Sequence, residues 1–382
     1  MIAGARLTID LEALASNYRL IRAQVAPAAV AGVVKADGYG LGAATVARTL
    51  MTEGCRRFFV ALLPEAQALV PALHGSELDG PEPDGLCEVY VLNGLLPGAE
   101  PGCLAAGAIP VLNSLDQIAR WAALAAREGR ALPAALQADT GMSRMGLPPE
   151  ELDEVLAHPE LLAGIEVRFL MSHLACGDEP DHPANAQQER RLRTIAERFP
   201  GLPVALDNSG GSFQRRGHFD FVRAGIALYG GAPQVGRNPM RAVVALETAI
   251  AQLRTVPAGT GVGYGLTFHA ARETRIATIP VGYADGWPRS LGNRGAAWIG
   301  GVRAPIAGRV SMDSITLDVT DVPEAHLYPG APVELIGPHQ TIDQVAEDAG
   351  TISYEILTQL GHRYERVYLA SRNAAENRST AP

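Results

Sequence analysis

The property that most limits what this chain can become is a rhythm. From about residue 30 to 230, short apolar runs alternate with longer amphipathic segments, the pattern left in sequence by a parallel sheet with helical crossovers. The runs are AGVVKA (31–36), RFFVAL (57–62), EVYVLN (88–93), IPVLN (109–113), PAALQAD (133–139), IEVRFLMSHL (165–174), PVALDNS (203–209) and DFVRAGIALYG (220–230). Between them, GAATVARTLMTEG, SLDQIARWAALAAREG and PANAQQERRLRTIAERF carry helical periodicity. Eight strands with intervening helices in about 200 residues predict a (β/α)8 barrel of TIM type, a doubly wound open sheet being the alternative with the same local pattern.

After YGGAP the rhythm changes. RAVVALETAIAQLRTV, RIATIPVGYADG, AAWIGGVRAPIAGRVSMDSITLDVT and APVELIG read as β segments broken by Gly, Pro and Asp, with one helical pattern at TIDQVAEDAG. The expectation is an N-terminal barrel over residues 1–232 and a mainly-β domain over 233–382. The tail SRNAAENRSTAP is polar and small, the composition of a mobile terminus.

Charge and composition exclude several roles. A net charge of −9 and a pI near 5.5 argue against broad binding to nucleic acid or to an anionic membrane surface. The N-terminus lacks a basic stretch followed by an apolar one, and no segment approaches the ~20 apolar residues of a membrane span. A cytoplasmic protein is expected. Cys55, Cys87, Cys103 and Cys176 form no C-x-x-C pair, and the nine histidines show no metal-ligand spacing. No metal is expected.

One residue breaks the basic composition. Lys+Arg is 32, yet Lys35 is the only lysine in the chain. A guanidinium stays protonated, whereas a desolvated amine can lose its proton and attack a carbonyl. Lys35 follows an apolar run and precedes the glycine-punctuated turn DGYGLG, and catalytic groups of a barrel belong at the C-terminal ends of its strands. Asp139, His173, Ser209 and Arg223 fall at or near such ends too.

The motifs VVKADGYG, DTGMSRMG, NSGG, VRAGIALYG, GVGYG, TIPVGYADGWPR, AGRVSMD and TISYE together resemble the alanine racemases, a pyridoxal-phosphate family with an N-terminal barrel and a C-terminal β domain. The resemblance implies that Lys35 binds the aldehyde of pyridoxal 5'-phosphate. It further implies that His173 and Asn208 of NSGG (208–211) are among the cofactor-binding residues, that Tyr39, Ser209, Gly225, Ile226 and Tyr354 surround the phosphate, and that Arg223 faces the pyridine nitrogen. Arg144 would meet the phenolic oxygen and the substrate carboxylate, and the Met312 amide that same carboxylate. Tyr264 would be the second acid/base group, provided by the partner subunit of a homodimer and tuned through His173 and Arg223. Tyr283, Arg289, Arg309 and Ile352 would line the channel to the site. The substrate implied is alanine and the biological output D-alanine for the cell wall.

One position departs from the family pattern. Where many members carry a carbamylated lysine, this chain has Gln137, whose carbonyl can accept a hydrogen bond from Arg144 but brings no negative charge. A racemase of serine or of broader specificity, a barrel-type decarboxylase and a non-catalytic pyridoxal-phosphate carrier are the rival readings. The β domain with GVGYG and VSMD counts against the carrier, and an arginine in place of an acidic pyridine partner counts against the decarboxylase.

Overall fold

The computed structural model describes residues 4–74, 87–214 and 216–370. The polar tail lies outside them. Two compact units form, one from Leu14–Leu228 with Ala232–Met240, the other from the residues up to Ala13, Tyr229–Gly231 and those from Arg241 onward.

The first unit is the expected barrel. Its parallel strands are β1 (Ala29–Val33), β2 (Arg57–Val60), β3 (Glu88–Val91), β4 (Ile109–Leu112), β5 (Leu132–Gln137), β6 (Ile165–Met171), β7 (Val204–Ala205) and β8 (Phe221–Ala224). Neighbours pair in chain order from β1 to β7, and β8 pairs with β1. The seam between β7 and β8 is spanned by Asp220 N–H to the Val204 carbonyl (3.0 Å) and Arg223 N–H to the Asp207 carbonyl (2.9 Å). These bonds nearly close the cylinder and exclude the open-sheet alternative.

Strands covered on both faces need apolar residues throughout, and β4 is buried at all four positions. Packed rings fill the interior: Phe59 stacks on Tyr90 at 5.2 Å, and Phe169 meets Tyr90 and Phe221 edge-on, each at 4.9 Å. The outer helices keep their expected punctuation. Leu115–Glu128 starts at Ser114, whose side chain accepts from Gln117 N–H, and stops at Gly129 in the left-handed conformation.

The second unit is built on mainly antiparallel sheets, and strands such as Ala5–Asp10, Val244–Ala249 and Ile315–Asp318 alternate in burial, as expected where one face meets water. Its six-stranded sheet runs Val302–Pro305, Ala296–Ile299, Pro332–Ile336, Val244–Ala249, Ala5–Asp10, Glu365–Leu369. A three-stranded sheet holds Gln252–Val256, Thr274–Ile279 and Ile315–Asp318. The segment RAVVALETAIAQLRTV thus contributes one strand to each. The sequence pattern places residues 1–232 in the barrel; Ala5–Asp10 instead pairs with Val244–Ala249 and Glu365–Leu369. It runs antiparallel to the first and parallel to the second, and its alternating burial suits a sheet with one wet face, not a barrel wall. Among the described residues no helix is long and apolar enough to cross a membrane.

Candidate active site

Strand β1 ends at Val33, and Lys35 opens a turn of unusual hand. Ala36, Asp37, Gly38 and Tyr39 have φ of 53°, 53°, 62° and 56°. Only Gly38 is free of the steric cost of that conformation, about 1–2 kcal/mol for each L-residue. The turn is therefore held from outside and within. Gly38 and Gly40 N–H donate to the Val34 and Ala36 carbonyls (2.8 and 2.7 Å), Ala43 N–H donates to Asp37 Oδ1 (2.8 Å), and Ala36 N–H donates to Glu65 Oε1 (2.6 Å). Such strain collects where geometry serves function.

Burial holds the half-buried Lys35 amine below the ordinary lysine range. The Arg144 and Arg223 guanidiniums push it the same way and the Glu65 carboxylate opposes them. The result is a larger fraction of neutral amine, as a nucleophile or base requires.

Arg223, on β8, is buried. Its Nη2 donates to the Ser172 carbonyl (2.6 Å), the Leu206 carbonyl (3.2 Å) and His173 Nδ1 (3.1 Å). Burial brings its pKa down to about 10, with the Asp207 charge resisting, so it stays a cation near neutral pH. Since a guanidinium only donates, His173 Nδ1 must accept, and the imidazole carries its proton on Nε2. Burial first, then Arg223, Arg144 and Lys35, keep His173 well below its usual pKa, hence neutral. Arg223 Nη1 is buried and finds no hydrogen-bond partner among the described residues.

Ser209 and Gly225 come together in the same unit. Ser209 Oγ accepts from Gly225 N–H (2.9 Å) and Ala227 N–H (3.3 Å), leaving its own hydroxyl proton for another acceptor. A Cβ on Gly225 would collide with the Tyr39 hydroxyl, so glycine is what lets that hydroxyl approach the loop. Ile226 is buried next to it. Asn208 acts on its own loop, where its Oδ1 accepts from Gly211 N–H (3.0 Å).

Arg144 is exposed on the loop after β5 and makes no hydrogen bond among the described residues. Asp139 Oδ1 shapes that loop by accepting from Gly141, Met142 and Ser143 N–H at 2.9, 3.0 and 3.1 Å. The anticipated bond from Arg144 to the Gln137 carbonyl does not form. Gln137 instead donates its amide to the Met145 carbonyl (3.2 Å), because the loop folds back over β5 through Leu147 N–H to the Gln137 carbonyl (2.7 Å).

The remaining candidates stand on the second unit. Tyr264 is 70% exposed on a short turn where Gly263 and Gly265 have φ of 74° and 72°. A Cβ on Gly265 would press on Arg309 Nη1 at 3.2 Å, so the turn lies against that guanidinium. Met312 is 52% exposed, and its loop is zipped to Tyr283: Tyr283 N–H donates to the Ser311 carbonyl and Ala284 N–H to the Met312 carbonyl, both at 3.0 Å. Arg363 clasps both strands of this zipper through Asp285 (Nε to Oδ1, 2.6 Å; Nη2 to Oδ2, 2.8 Å) and Asp313 (2.7 Å). Arg289 opens the next turn, Ile352 is exposed, and Tyr354 stands on helix Ser353–Gln359.

Sequence patterns give no hint of Glu65, Arg363 or Asp207. Asp207 is buried and accepts from Arg216 Nη2 and His218 Nδ1 (2.7 Å). Nothing in local spacing announces such pairings, since the partners are distant in sequence or masked by commoner roles.

What the barrel's site can do is bind a carbonyl compound covalently while other donors meet its acceptors, which defines a lysine-dependent carbonyl enzyme on a barrel scaffold. Similarity to known proteins gives that class a family. The alanine racemase N-terminal domain family matches residues 9–233, and the alanine racemase C-terminal domain family matches 243–368. The catabolic alanine racemase of Agrobacterium fabrum is 55% identical over 382 residues, covering 99% of this chain and 96% of that protein. Alanine racemase from Bartonella henselae, crystallised with covalently bound pyridoxal phosphate, aligns with a TM-score of 0.89 at 41% identity, over 96% of this chain and 99% of that one. The biosynthetic alanine racemase of Pseudomonas aeruginosa aligns with a TM-score of 0.86 at 34% identity, over 96% and 99%. The chain belongs to the alanine racemase family, whose enzymes depend on pyridoxal phosphate.

The residues present fit that cofactor. The orphaned Arg223 Nη1, the spare Ser209 hydroxyl proton and the Cβ-free approach at Gly225 are what a ring acceptor and a phosphate call for.

Proposed function

We propose that the chain interconverts L-alanine and D-alanine by a two-base route, with Lys35 working on one face of Cα and Tyr264, supplied by the partner subunit of a homodimer, on the other. What supports this reading is the match to both alanine racemase domains along the chain, together with the strained turn that Lys35 opens after β1 and the buried Arg223 with an unused N–H. When bound through Lys35, with Tyr39, Ser209, Gly225 and Ile226 at its phosphate, Arg223 at its ring nitrogen and Arg144 at its phenolic oxygen, pyridoxal phosphate supplies the electron withdrawal that loosens the Cα proton.

The fate of that proton is decided by the protein's own groups. Arg223 can accept no proton, so it would disfavour one on the ring nitrogen it faces and would limit how far the cofactor draws charge away from Cα. That favours racemisation over decarboxylation. Lys35 takes the proton of D-alanine and Tyr264 that of L-alanine, and each returns one to the face it guards. A free tyrosine has a pKa of about 10, so Tyr264 needs a donor for its phenolate. His173, neutral with Nδ1 committed to Arg223, offers Nε2–H for that purpose. Arg144 and the Met312 N–H hold the substrate carboxylate.

The decisive test is one-sided exchange in deuterated solvent. Tyr264→Phe is expected to abolish racemisation in both directions and exchange from L-alanine, while Lys35 still exchanges the Cα proton of D-alanine without inversion. Equal loss of exchange from both enantiomers, or racemisation at the parental rate, defeats the two-base assignment.

The physiological direction has two readings. Supplying D-alanine to the cell wall from the cytoplasm is the first; breakdown of alanine is the second, favoured by the catabolic name of the 55% identical relative. A deletion strain that needs added D-alanine supports supply, and one that only fails to grow on alanine as carbon source supports breakdown.

A further inference from the structure

Glu65 has no part in the chemistry described so far, yet its carboxylate accepts from three backbone donors in two separate loops. Oε2 accepts from Ala61 N–H (2.7 Å) and Leu62 N–H (2.8 Å), which cap the helix Leu63–His74 behind β2. Oε1 reaches across to Ala36 N–H at 2.6 Å. Ala36 is the residue after Lys35 and the first of the left-handed turn. One half of the carboxylate thus performs an ordinary helix-start function, while the other grips the strained turn at the link that aims the lysine.

We propose that Glu65 is a positioning residue that fixes where the Lys35 amine stands. It ties the left-handed turn opened by Lys35 to the loop after β2, so the turn cannot relax toward the right-handed conformation its L-residues favour. Asp37, through Ala43 N–H, closes the same turn from its far end. Glu65 is also the one carboxylate among the charged groups that act on Lys35, against the guanidiniums of Arg144 and Arg223. Its position therefore sets both the place and the charge balance of the amine. A helix cap alone would need neither.

The proposal rests on Lys35 being the cofactor lysine, and the sole-lysine composition allows the two ideas to be judged apart. Labelling with 15N-lysine marks a single side-chain nitrogen in the holoenzyme. A parental Nζ signal unchanged by borohydride would sink the cofactor reading before any variant is made. With that signal responsive, Glu65→Gln, which keeps the size but turns one acceptor into a donor, should move the Nζ resonance and lower its titration midpoint. It should also cut kcat about ten- to a hundredfold, the scale of a misplaced reacting group, with little change in KM. Glu65→Asp keeps the charge but loses the reach, so it should hold the midpoint near the parental value and leave kcat low. An Nζ signal and kcat superimposable on the parent in Glu65→Gln, with only the melting temperature reduced, would make Glu65 a helix cap and overturn the proposal.

Discussion

The barrel's residues and those of the second unit are finished to different degrees. In the barrel, Arg223 and Ser209 are buried, His173 is fixed in one tautomer, and the turn after Lys35 is pinned at both ends. On the second unit the backbone is equally well tied, but the side chains are not covered: Tyr264, Leu266, Met312 and Ile352 all present large apolar surface. The difference teaches that one set is preorganised by its own unit, whereas the other leaves its side chains open, as the proposed sharing of the site across a homodimer requires.

The hardest way to break that comparison is at its buried end. Lys35→Arg preserves the positive charge but cannot form an imine, so racemisation should fall by several orders of magnitude. Intact mass after borohydride should show no cofactor adduct, while the parent carries one. A reducible adduct on the Lys35→Arg protein would mean that preorganisation of the barrel rim serves some other group.

An intermediate effect is expected at the exposed end. Arg363 binds Asp285 and Asp313, and the Asp285 carboxylate also accepts from Gly282 N–H at 2.8 Å. Arg363→Gln leaves the nearly buried Asp285 without its cation, so the zipper between Tyr283 and Met312 should loosen. The melting temperature should drop, and KM for alanine should rise several-fold while kcat holds, because the Met312 amide would position the substrate carboxylate without moving protons. A fall in kcat at constant KM would show instead that the clasp serves chemistry, and the contrast between an organised backbone and an uncovered surface would lose its meaning.

How far the sequence reveals these regions divides along the same line. All eight barrel strands overlap their apolar runs, and every one ends earlier than its run. AGVVKA stops pairing at Val33 because Ala36 onward takes positive φ, and only two residues of PVALDNS remain strand because Asp207 turns to meet Arg216 and His218. Hydropathy does not distinguish a buried strand residue from a buried rim residue, so the boundary is illegible where the chemistry begins. Helix ends are plainer, since Ser114, Gly129, Thr341 and Gly350 act locally. Glu65 stays hidden for a related reason: an acid in the first turn after LP reads as helix-start chemistry, and its grip on Ala36 spans 29 residues. The strand Ala5–Asp10 escapes a local reading because its partners lie far along the chain.

The smallest effect, and the sharpest probe of how finished the barrel is, lies at Gln137. Its amide is spent on the Met145 carbonyl while Arg144 stays exposed without a hydrogen bond among the described residues, so the arginine side chain is left loose on a loop whose backbone Asp139 holds. Gln137→Lys would remove that bond and, in the presence of carbon dioxide, allow a carbamate to place a negative charge beneath Arg144. A charge-assisted hydrogen bond contributes about 1.5–3 kcal/mol when well shielded, and an exposed guanidinium realises only part of that. Activity should therefore survive, with a few-fold change in KM or a displaced pH profile that depends on added carbon dioxide, while the parent responds to carbon dioxide not at all. If the variant matches the parent with and without carbon dioxide, Gln137 has no hold on Arg144, and the loop is ordered by Asp139 and its three backbone donors alone.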